Sequence, residues 1–589
     1  MNKLNNQKRI LGVILLLVVG GMAMFSPWRI WYKNFKKVAK SYYYYQAASG
    51  QLPEVQFQKI ALGAEAEGYF SSLTFGPDGK LYAACLNGQI KRFKIEENGF
   101  VKLEHTFQPF GTQAKLMIGL HFDPHAHSDS LVAWITYSNH PELHDAPEWD
   151  GRLAFLQLAT HSDSVLQHQV VIKHLPRSAH DHLTNSLDFG PDGNLYIAQG
   201  SNTSMGYADN DLIGKKRQES LLSGAILRLH LDRLPQQLPI DAKTHEGGGN
   251  YNPFAKNAPL TIYATGMRNA YDLVWHSNGQ LYVSVNGSKS KEHTPTSNPK
   301  SPRFVPLHPL VKYNGPTNIP EVAEVAAAQD DYLARAEEGG FYGHPNPRRG
   351  EYILNHGDRD VPNREYKGLA PDPNFRGFSY NFGKHASANG IIEYQSQVFG
   401  GRLAGKLLVA RFNNYNDVMA LEPGGPHLDI VEAYDGKPLG LAGMNMPLDL
   451  VEDTRNGNLY VSEYGGKAGI TLFRPIEKPG DRLEITQEEA PTSQKVTLAL
   501  TKTGKTIFEE NCQACHGPQG VGGAGPSLQD NKWRYGSKAE QVKGIILNGS
   551  EEGMPAWKQH LSNQEIDELA TYVLSLRKTA GLSLRASTQ

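Results

Sequence analysis

Cysteine is scarce in this chain. Three cysteines occur in 589 residues, too few for a framework of several disulfides. Two of them lie in Cys512-Gln513-Ala514-Cys515-His516, and the third, Cys85, stands in an apolar run where a thiol packs as a small hydrophobe. An excess of one charge is also lacking, because 59 lysines and arginines nearly balance 60 aspartates and glutamates. The charge balance therefore does not indicate a nucleic-acid partner.

The Cys-x-x-Cys-His spacing is typical of covalently attached haem c. Cys512 and Cys515 can bond the haem vinyl groups, and His516 can ligate the iron from one side. Met554 follows 38 residues after His516 and is the predicted second axial ligand, which would raise the reduction potential relative to a second histidine. A redox dithiol or a chance match is the alternative interpretation.

Two further features favour the haem. A glycine-rich stretch covers 517–526, and apolar residues recur at near-helical spacing over 563–578, which predicts a closing helix. The sequence thus predicts a small all-α cytochrome c domain over 503–580, with a tail over 581–589.

An apolar run over 10–25 follows three basic residues and precedes Trp28 and Trp31. This pattern predicts a signal or an uncleaved anchor helix within 1–31. Five basic residues follow the run, a distribution that alone would place the bulk of the chain inside. Because haem c matures outside the cytoplasmic membrane, we expect instead that the bulk of the chain lies outside it. We therefore expect a membrane-proximal stem over 32–55 and soluble domains in the periplasm or another extracytoplasmic space.

Internal repeats fill the region between the anchor and the haem motif. Four clear copies of strand, Asp-Gly or Asn-Gly turn, and strand cover 72–82, 186–196, 272–282 and 449–460. Two weaker copies begin at Gly119 and Gly405. Six units predict a mainly β fold, a six-bladed β-propeller over 56–475. A β-sandwich array is the alternative, which explains the irregular intervals less well.

The spacing of the repeats predicts an insertion over about 288–400, with a helix over 321–338. Long insertions of this kind are usually lids or binding loops. A polar, proline-containing linker is expected over 476–502.

Two loops carry candidate catalytic residues. His182 precedes the 186–196 repeat and Arg268 precedes the 272–282 repeat, so a propeller would bring both to one end of its channel. A histidine can abstract a proton near neutral pH and an arginine can stabilise an anionic oxygen. The alternative is that His182 is an ordinary loop histidine, one of 22 in the chain.

These motifs, with Phe-Gly-Pro-Asp-Gly-x-Leu-Tyr and Gly-x-Arg-Asn before a hairpin, resemble the glucose/sorbosone dehydrogenase family over about 55–475. The resemblance implies a six-bladed propeller that oxidises sugars with pyrroloquinoline quinone (PQQ) and calcium. It assigns His182 as the base and Arg268 as the arginine beside the reacting quinone oxygens. It further implies cofactor contacts at Asn269, Asn286 and Tyr342, the last within a pocket-lining segment over 341–345. The residues Gly287 and Ser288 correspond to calcium-ligating carbonyls.

The chain departs from the family pattern at three places. Both arginines of an Arg-x-Arg-Asp-Val motif are missing at 446–450, and the expected lysine falls near 412–414, where Arg411 is the nearest cation. The family pattern has an acidic residue after the Leu-Tyr strand of the blade that carries His182, and Ser201 occupies that position in this chain. Because PQQ is a tricarboxylate, lost partners remove charge-assisted hydrogen bonds of about 1.5–3 kcal/mol each. Either Arg348, Arg349 and Arg411 substitute, or the cofactor sits differently.

The expected function is that of a membrane-anchored quinohaemoprotein. It would oxidise an aldose-type sugar, polyol or aldehyde at PQQ and pass electrons through haem c to another cytochrome or a terminal oxidase. Two alternatives stay open: a calcium-dependent propeller hydrolase such as a lactonase, and a non-catalytic glycan-binding redox protein. The former would hold calcium deep in the channel.

Overall fold

The computed structural model describes residues 50–141, 146–208, 216–288, 292–325, 328–355, 366 and 368–483, and, with short gaps, residues 503–577. The predicted anchor, most of the stem, the greater part of the linker and the tail lie outside these residues. Their boundaries stay predictions. Within the described residues no helix has the length and apolar character needed to span a bilayer.

Six sheets form the propeller, and each contains four antiparallel strands. Blade one holds β2 (Phe70–Phe75), β3 (Leu81–Cys85), β4 (Ile90–Ile95) and β5 (Val101–Phe107). Blade two holds β6 (Leu116–Phe122), β7 (Leu131–Ser138), β8 (Gly151–Leu158) and β9 (Val165–Leu175), to which β13 (Ile240–Asp241) adds in parallel. Blade three holds β10 (Thr184–Phe189), β11 (Leu195–Gln199), β12 (Ala225–Leu229) and β14 (Leu260–Thr265).

Blade four holds β15 (Asn269–Trp275), β16 (Leu281–Asn286), β17 (Asp331–Ala336) and β18 (Tyr380–Gly383). Blade five holds β19 (Ala388–Glu393), β20 (Leu407–Arg411), β21 (Asp417–Gly424) and β22 (Asp429–Tyr434). Blade six holds β23 (Pro447–Asp453), β24 (Asn458–Glu463), β25 (Gly469–Pro475) and the early strand β1 (Phe57–Ala61).

Each of the four clear sequence repeats supplies the first two strands of a blade. In blade one, Thr74 pairs with Tyr82 and Phe75 with Leu81, while Gly79 takes a positive φ of 71° in the turn. A glycine adopts that conformation without steric cost, which is why the Asp-Gly and Asn-Gly signals mark these hairpins. The weaker repeat of blade two likewise supplies its first two strands, β6 and β7, whereas the copy at Gly405 supplies only the second strand of blade five, β20. The six-bladed prediction is confirmed.

The ring closes on its own N-terminal strand. β1 pairs with β25 from Phe57↔Pro475 to Ala61↔Thr471, so blade six combines both ends of the domain. Phe57 is buried and packs edge-on against Phe399 of blade five, with ring centroids 5.2 Å apart. This closure removes the open edges that a linear row of sheets would expose.

The predicted helix over 321–338 is wrong. Residues 331–336 form β17, the third strand of blade four, in which Tyr332, Leu333 and Ala334 are buried. Strand pairing and burial outweigh the helix propensity of the alanines nearby. The insertion predicted over 288–400 is likewise too broad, because it contains β17, β18 and part of blade five. The extra chain lies between β16 and β17 and between β17 and β18.

The C-terminal region is helical. A single-turn helix in the propeller is α1 (Gly436–Leu439), and the later helices are α2 (Gly504–Asn511), α3 (Ala539–Asn548) and α4 (Asn563–Ser575). The side chain of Thr503 accepts from Thr506 N at the start of α2, and Ser562 and Glu565 form a capping box on α4. Buried apolar residues of all three later helices share one core. The predicted all-α domain class and closing helix are confirmed.

Candidate active site and haem site

Backbone hydrogen bonds join the two ends of the long connection between β11 and β12 to each other and to the turn from blade three into blade four. Gly224 N donates to Gly200 O (3.1 Å), Gly266 N donates to Gly224 O (3.0 Å), and Ser201 N donates to Arg268 O (2.7 Å). Gly224 has φ +61°, and a Cβ there would lie 3.5 Å from Ser201 Cβ. The loops therefore approach closely, and they bring His182 and Arg268 into one site, as their positions in the sequence predict.

His182 is buried, with its ring oriented by Ser201. The Nδ1 atom lies 3.0 Å from the Ser201 carbonyl oxygen and 3.1 Å from Ser201 Oγ. Because a carbonyl only accepts, Nδ1 carries the proton and Nε2 keeps its lone pair. Burial, together with the charge of Arg268, lowers the pKa of His182 to about 3. The Nε2 atom is therefore an unprotonated base at neutral pH.

Arg268 makes one hydrogen bond within the site and has a buried N–H donor without a partner among the described residues. Its Nη1 donates to Gly287 O at 2.8 Å, while its Nε is buried without a partner among the described residues. Asn286 Oδ1 is unpartnered in the same sense, and its Nδ2 donates to Asn389 Oδ1 at 3.1 Å. Unpaired buried polar atoms are costly. These two side chains can therefore bind a polar ligand, whereas Asn269 Oδ1 already accepts from Asn185.

The predicted calcium carbonyls each have a protein donor. Gly287 O accepts from Arg268, and Ser288 O accepts from Gln329 N at 2.8 Å. A carbonyl oxygen has a second lone pair, but the guanidinium on Gly287 O repels another cation there. The geometry fits a calcium ligand at Ser288 better than one at Gly287.

The structure does not place Tyr342 where a cofactor contact needs it. Its ring is fully buried in the core between blades three and four. Its hydroxyl donates to Arg335 O and accepts from Glu337 N at 2.9 Å. Every polar atom of this side chain is committed to the blade, so the assignment of Tyr342 as a cofactor ligand is corrected to a structural role.

Arg411 is also committed elsewhere. It forms a two-pronged ion pair with Asp417, Nε to Oδ1 at 2.7 Å and Nη2 to Oδ2 at 2.6 Å, and it reaches Asp435 at 2.9 Å. These carboxylates outweigh the effect of burial and raise its pKa further. Its charge is neutralised within blade five, so Arg411 does not supply a cation to a cofactor.

The other proposed substitutes also make hydrogen bonds within the protein. Arg349 binds Glu351 through Nε and donates to the carbonyls of Leu221 and Ser223. Arg348 donates to Pro306 O and to Gln218 Oε1. Arg349 and Arg411 are paired with carboxylates, so they do not replace the missing arginines and lysine of the family pattern. Arg348 is bonded only to neutral oxygens, and its Nε has no partner among the described residues, so its charge stays available. For two of the three proposed substitutes, the contacts favour the second possibility, a different placement of the cofactor.

An Arg411→Met variant tests the structural role. Removing the cation leaves Asp417 buried without its partner, which is expected to cost about 3–5 kcal/mol of stability. Chemical unfolding followed by tryptophan fluorescence measures the change. The matched control is Arg376→Met, since that guanidinium pairs with Glu337 at a more exposed position. Loss of PQQ affinity with unchanged stability would instead restore Arg411 to the site.

One pair of site residues has little signal in the sequence. Glu219 Oε1 lies 3.0 Å from His344 Nε2, and both side chains are buried. His344 falls in the predicted pocket-lining segment, but nothing marks Glu219, which precedes β12 in a serine-rich loop. Only the fold brings residues 125 positions apart into contact.

The central channel bears on the hydrolase alternative. A cavity of about 290 Å³ is lined by first strands of several blades, with Asp188, Asp272 and Asp449 among its residues. Each carboxylate accepts a backbone N–H from the next blade, at Trp275, Ile391 and Leu73 respectively. Among the described residues no group of three histidines, cysteines or carboxylates is arranged to hold a metal. These aspartates join neighbouring blades, and the calcium expected of a hydrolase has no such cluster there.

The haem motif is arranged for ligation. His516 Nδ1 lies 2.9 Å from Pro526 O, which places the proton on Nδ1 and leaves Nε2 for the iron. Cys512 is buried in the domain core, and Met554 packs against that core. Met554 O accepts from Ser550 N, and Met554 N donates to Ser550 Oγ. Cys515 lies outside the described residues, so its position stays a prediction.

Comparison with known proteins identifies both parts of the chain. Residues 68–294 match the family model glucose/sorbosone dehydrogenase, and residues 499–573 match the model for cytochrome c oxidase, cbb3-type, subunit III. The chain therefore joins a domain of the glucose/sorbosone dehydrogenase type to a cytochrome c domain, as its motifs predict. The cytochrome c domain implies haem c.

Individual relatives match parts of the chain. The cbb3-type cytochrome c oxidase subunit CcoP of Azospirillum sp. is 34% identical over 119 residues, which are 19% of this chain and 38% of that protein. The subunit FixP of Azorhizobium caulinodans is 38% identical over 163 residues, 25% of this chain and 51% of that protein. This chain thus spans about two fifths to one half of these relatives.

Solved structures align with the propeller. The soluble aldose sugar dehydrogenase from Escherichia coli, in the apo form, has 17% identity and a TM-score of 0.45, covering 72% of this chain and 100% of that one. The PQQ-bound aldose sugar dehydrogenase from Streptomyces coelicolor has 16% identity and a TM-score of 0.43 with the same coverage.

Proposed function

We propose that this protein is a sugar dehydrogenase that uses PQQ and passes the electrons to its own haem c. The observation that carries the proposal is the free Nε2 base of His182 beside Arg268, in a domain of the glucose/sorbosone dehydrogenase type on the same chain as a cytochrome c domain. A hydrolase would make no use of the haem.

The site offers partners for an acidic quinone. Within the part of the chain that the structure describes, Arg268 Nε is a buried donor without a partner and Asn286 Oδ1 a buried acceptor without one. Charge-assisted hydrogen bonds from Arg268 suit a carboxylate or quinone oxygen. PQQ, when bound, would supply the acceptor for the hydride, one proton with two electrons, that leaves the substrate carbon. Arg268 is therefore the principal cation for holding it, and Asn286 is a secondary contact.

His182 is the base that accepts the proton of the reacting hydroxyl group. Its Nε2 accepts that proton as the substrate carbon is oxidised, because Nδ1 is already protonated and held by Ser201. The imidazolium that forms is stabilised by Asp181, whose Oδ1 lies 3.9 Å from Nε2. Asp181 is half exposed, so solvent can receive the proton from this edge of the site.

The haem domain provides the exit for electrons. Cys512, Cys515, His516 and Met554 would hold a covalent haem c, which would supply a carrier for one electron at a time. Tethering this domain to the propeller raises its effective concentration at the site relative to a free carrier. We propose another cytochrome or a terminal oxidase as the external acceptor, and an extracytoplasmic, membrane-anchored location through residues 1–31.

The proposal is tested by reconstitution of the full-length haem protein. Adding PQQ and calcium is expected to give aldose-dependent reduction of the haem, visible in its absorption spectrum, and removing calcium with a chelator is expected to lower the rate. Magnesium added back serves as the control, because it demands a smaller octahedral site. Absence of haem reduction by every aldose tested would refute the proposed function.

A further inference from the structure

Glu219 and His344 form a second buried pair of polar side chains at the active site. The two side chains are 0% and 2% exposed. The Glu219 carboxylate accepts hydrogen bonds from Asn202 N at 3.1 Å, Thr203 N at 2.9 Å and Ser223 Oγ. Burial raises the pKa of Glu219, but the hydrogen bonds from His344, Ser223 and Thr203 outweigh it and lower the pKa to about 2. Glu219 is therefore a carboxylate, which only accepts hydrogen bonds.

The Glu219 carboxylate determines which ring nitrogen of His344 carries a proton. Because Glu219 Oε1 lies 3.0 Å from His344 Nε2, that nitrogen carries a proton and donates it. With that proton on Nε2, the lone pair of the imidazole lies on Nδ1, which is the acceptor of this tautomer. The Nδ1 atom is buried and has no partner within the described residues. A buried acceptor that the protein does not satisfy is a position for a ligand donor.

The ring is held close to His182. His344 N donates to Gly266 O at 2.8 Å, and a Cβ on Gly224 would lie 3.4 Å from His344 Cδ2 and 3.5 Å from Ser201 Cβ. Ser201 in turn contacts His182 Nδ1 at 3.1 Å. His182 and His344 therefore lie close together, with Ser201 near both rings.

We propose that His344 Nδ1 accepts a hydrogen bond from a second hydroxyl group of the sugar, other than the one that His182 deprotonates, and that Glu219 positions the ring. This inference deepens the proposed function and rests on it. The two sides of the site differ in chemistry. Arg268 offers a cationic donor that suits the oxygens of a tricarboxylate quinone, whereas a lone pair backed by a carboxylate repels them and suits a hydroxyl donor.

The test uses the full-length protein and a complete set of monodeoxy forms of its best aldose. In the wild type, removing one particular hydroxyl is expected to lower kcat/KM about 10- to 100-fold, because Nδ1 is left unpaired. In His344→Phe that same removal is expected to have no further effect. His344→Gln, which retains an acceptor, is expected to recover part of the discrimination, and Glu219→Gln to weaken it.

A matched control and two binding measurements complete the design. His308→Phe alters another buried histidine paired with a glutamate, Glu246, at 3.5 Å, and should leave the discrimination unchanged. Calorimetry measures PQQ affinity, expected to be unchanged in His344→Phe, and sugar affinity of the PQQ-free protein, expected to repeat the deoxy pattern.

The outcomes separate the inference from the proposed function. If His344→Phe keeps the wild-type deoxy pattern, or loses PQQ affinity instead, the inference is refuted while sugar oxidation stands. If the wild type binds sugars with the deoxy pattern but never reduces its haem, sugar oxidation is refuted and the hydroxyl contact stands. If no sugar binds or is oxidised, both are refuted.

Discussion

A His182→Gln variant is expected to lose about 10²- to 10⁴-fold in sugar-dependent haem reduction, the range that general-base catalysis contributes. Glutamine can keep a hydrogen bond to Ser201 but has no basic nitrogen to take the hydroxyl proton. The control is His276→Gln, because His276 is a buried histidine of a blade-four hairpin whose Nε2 contacts Gly405 O. PQQ affinity should change little in both variants. A variant that retains more than about a tenth of the wild-type rate would remove His182 from the base role.

The pH dependence follows from the lowered pKa of His182. Since burial and Arg268 hold that pKa at about 3, the ring stays unprotonated from pH 8 to pH 5. Protonation of His182 should therefore cause no fall in kcat/KM across this interval. Stability behaves differently, because the unfolded chain binds a proton near the ordinary value of 6.5. The stability contribution of His182 decreases as pH falls from about 6.5 toward 3, and His182→Gln should abolish this component in unfolding measurements.

The overall fold is predictable because it depends on local signals. Four hairpins are encoded by apolar alternation around an Asp-Gly or Asn-Gly turn and two by weaker copies, and six such units leave few alternatives to a closed ring. The strand β17 is not predictable in this way, since an alanine-containing stretch such as 321–338 fits helix and strand alike. Its pairing with β16 decides the outcome, and that pairing is non-local.

The active site is only partly encoded in motifs. His182 and Arg268 stand next to repeats, so their meeting follows from blade geometry. Tyr342 and Arg411 also lie near the expected positions, but partners within the blades occupy their polar atoms. Arg411 pairs with Asp417, and the Tyr342 hydroxyl donates to Arg335 O. Glu219 carries no local signal at all. Sequence position places a residue on a loop, while its charge partners determine whether it is available to a ligand.

A Met554→His variant is expected to keep the covalent haem and lower its reduction potential. Cys512, Cys515 and His516 are unchanged, so attachment persists, but imidazole replaces the thioether that favours the reduced iron. The shift should be on the order of a few hundred millivolts, within the roughly 0.8 V over which axial ligands vary haem potentials. Redox titration of the purified full-length protein, followed in the haem absorption bands, measures it.

The consequence for turnover separates the two halves of the reaction. A haem with a lower potential accepts electrons less readily, so the final extent of sugar-driven haem reduction should fall. PQQ affinity should stay as in the wild type, because Met554 belongs to the helical domain core. The control is Met419→Leu, a buried methionine of blade five, which should leave the haem potential unchanged. An unaltered potential in Met554→His would show that another side chain ligates the iron, and that the haem site predicted from the sequence is wrong on that side.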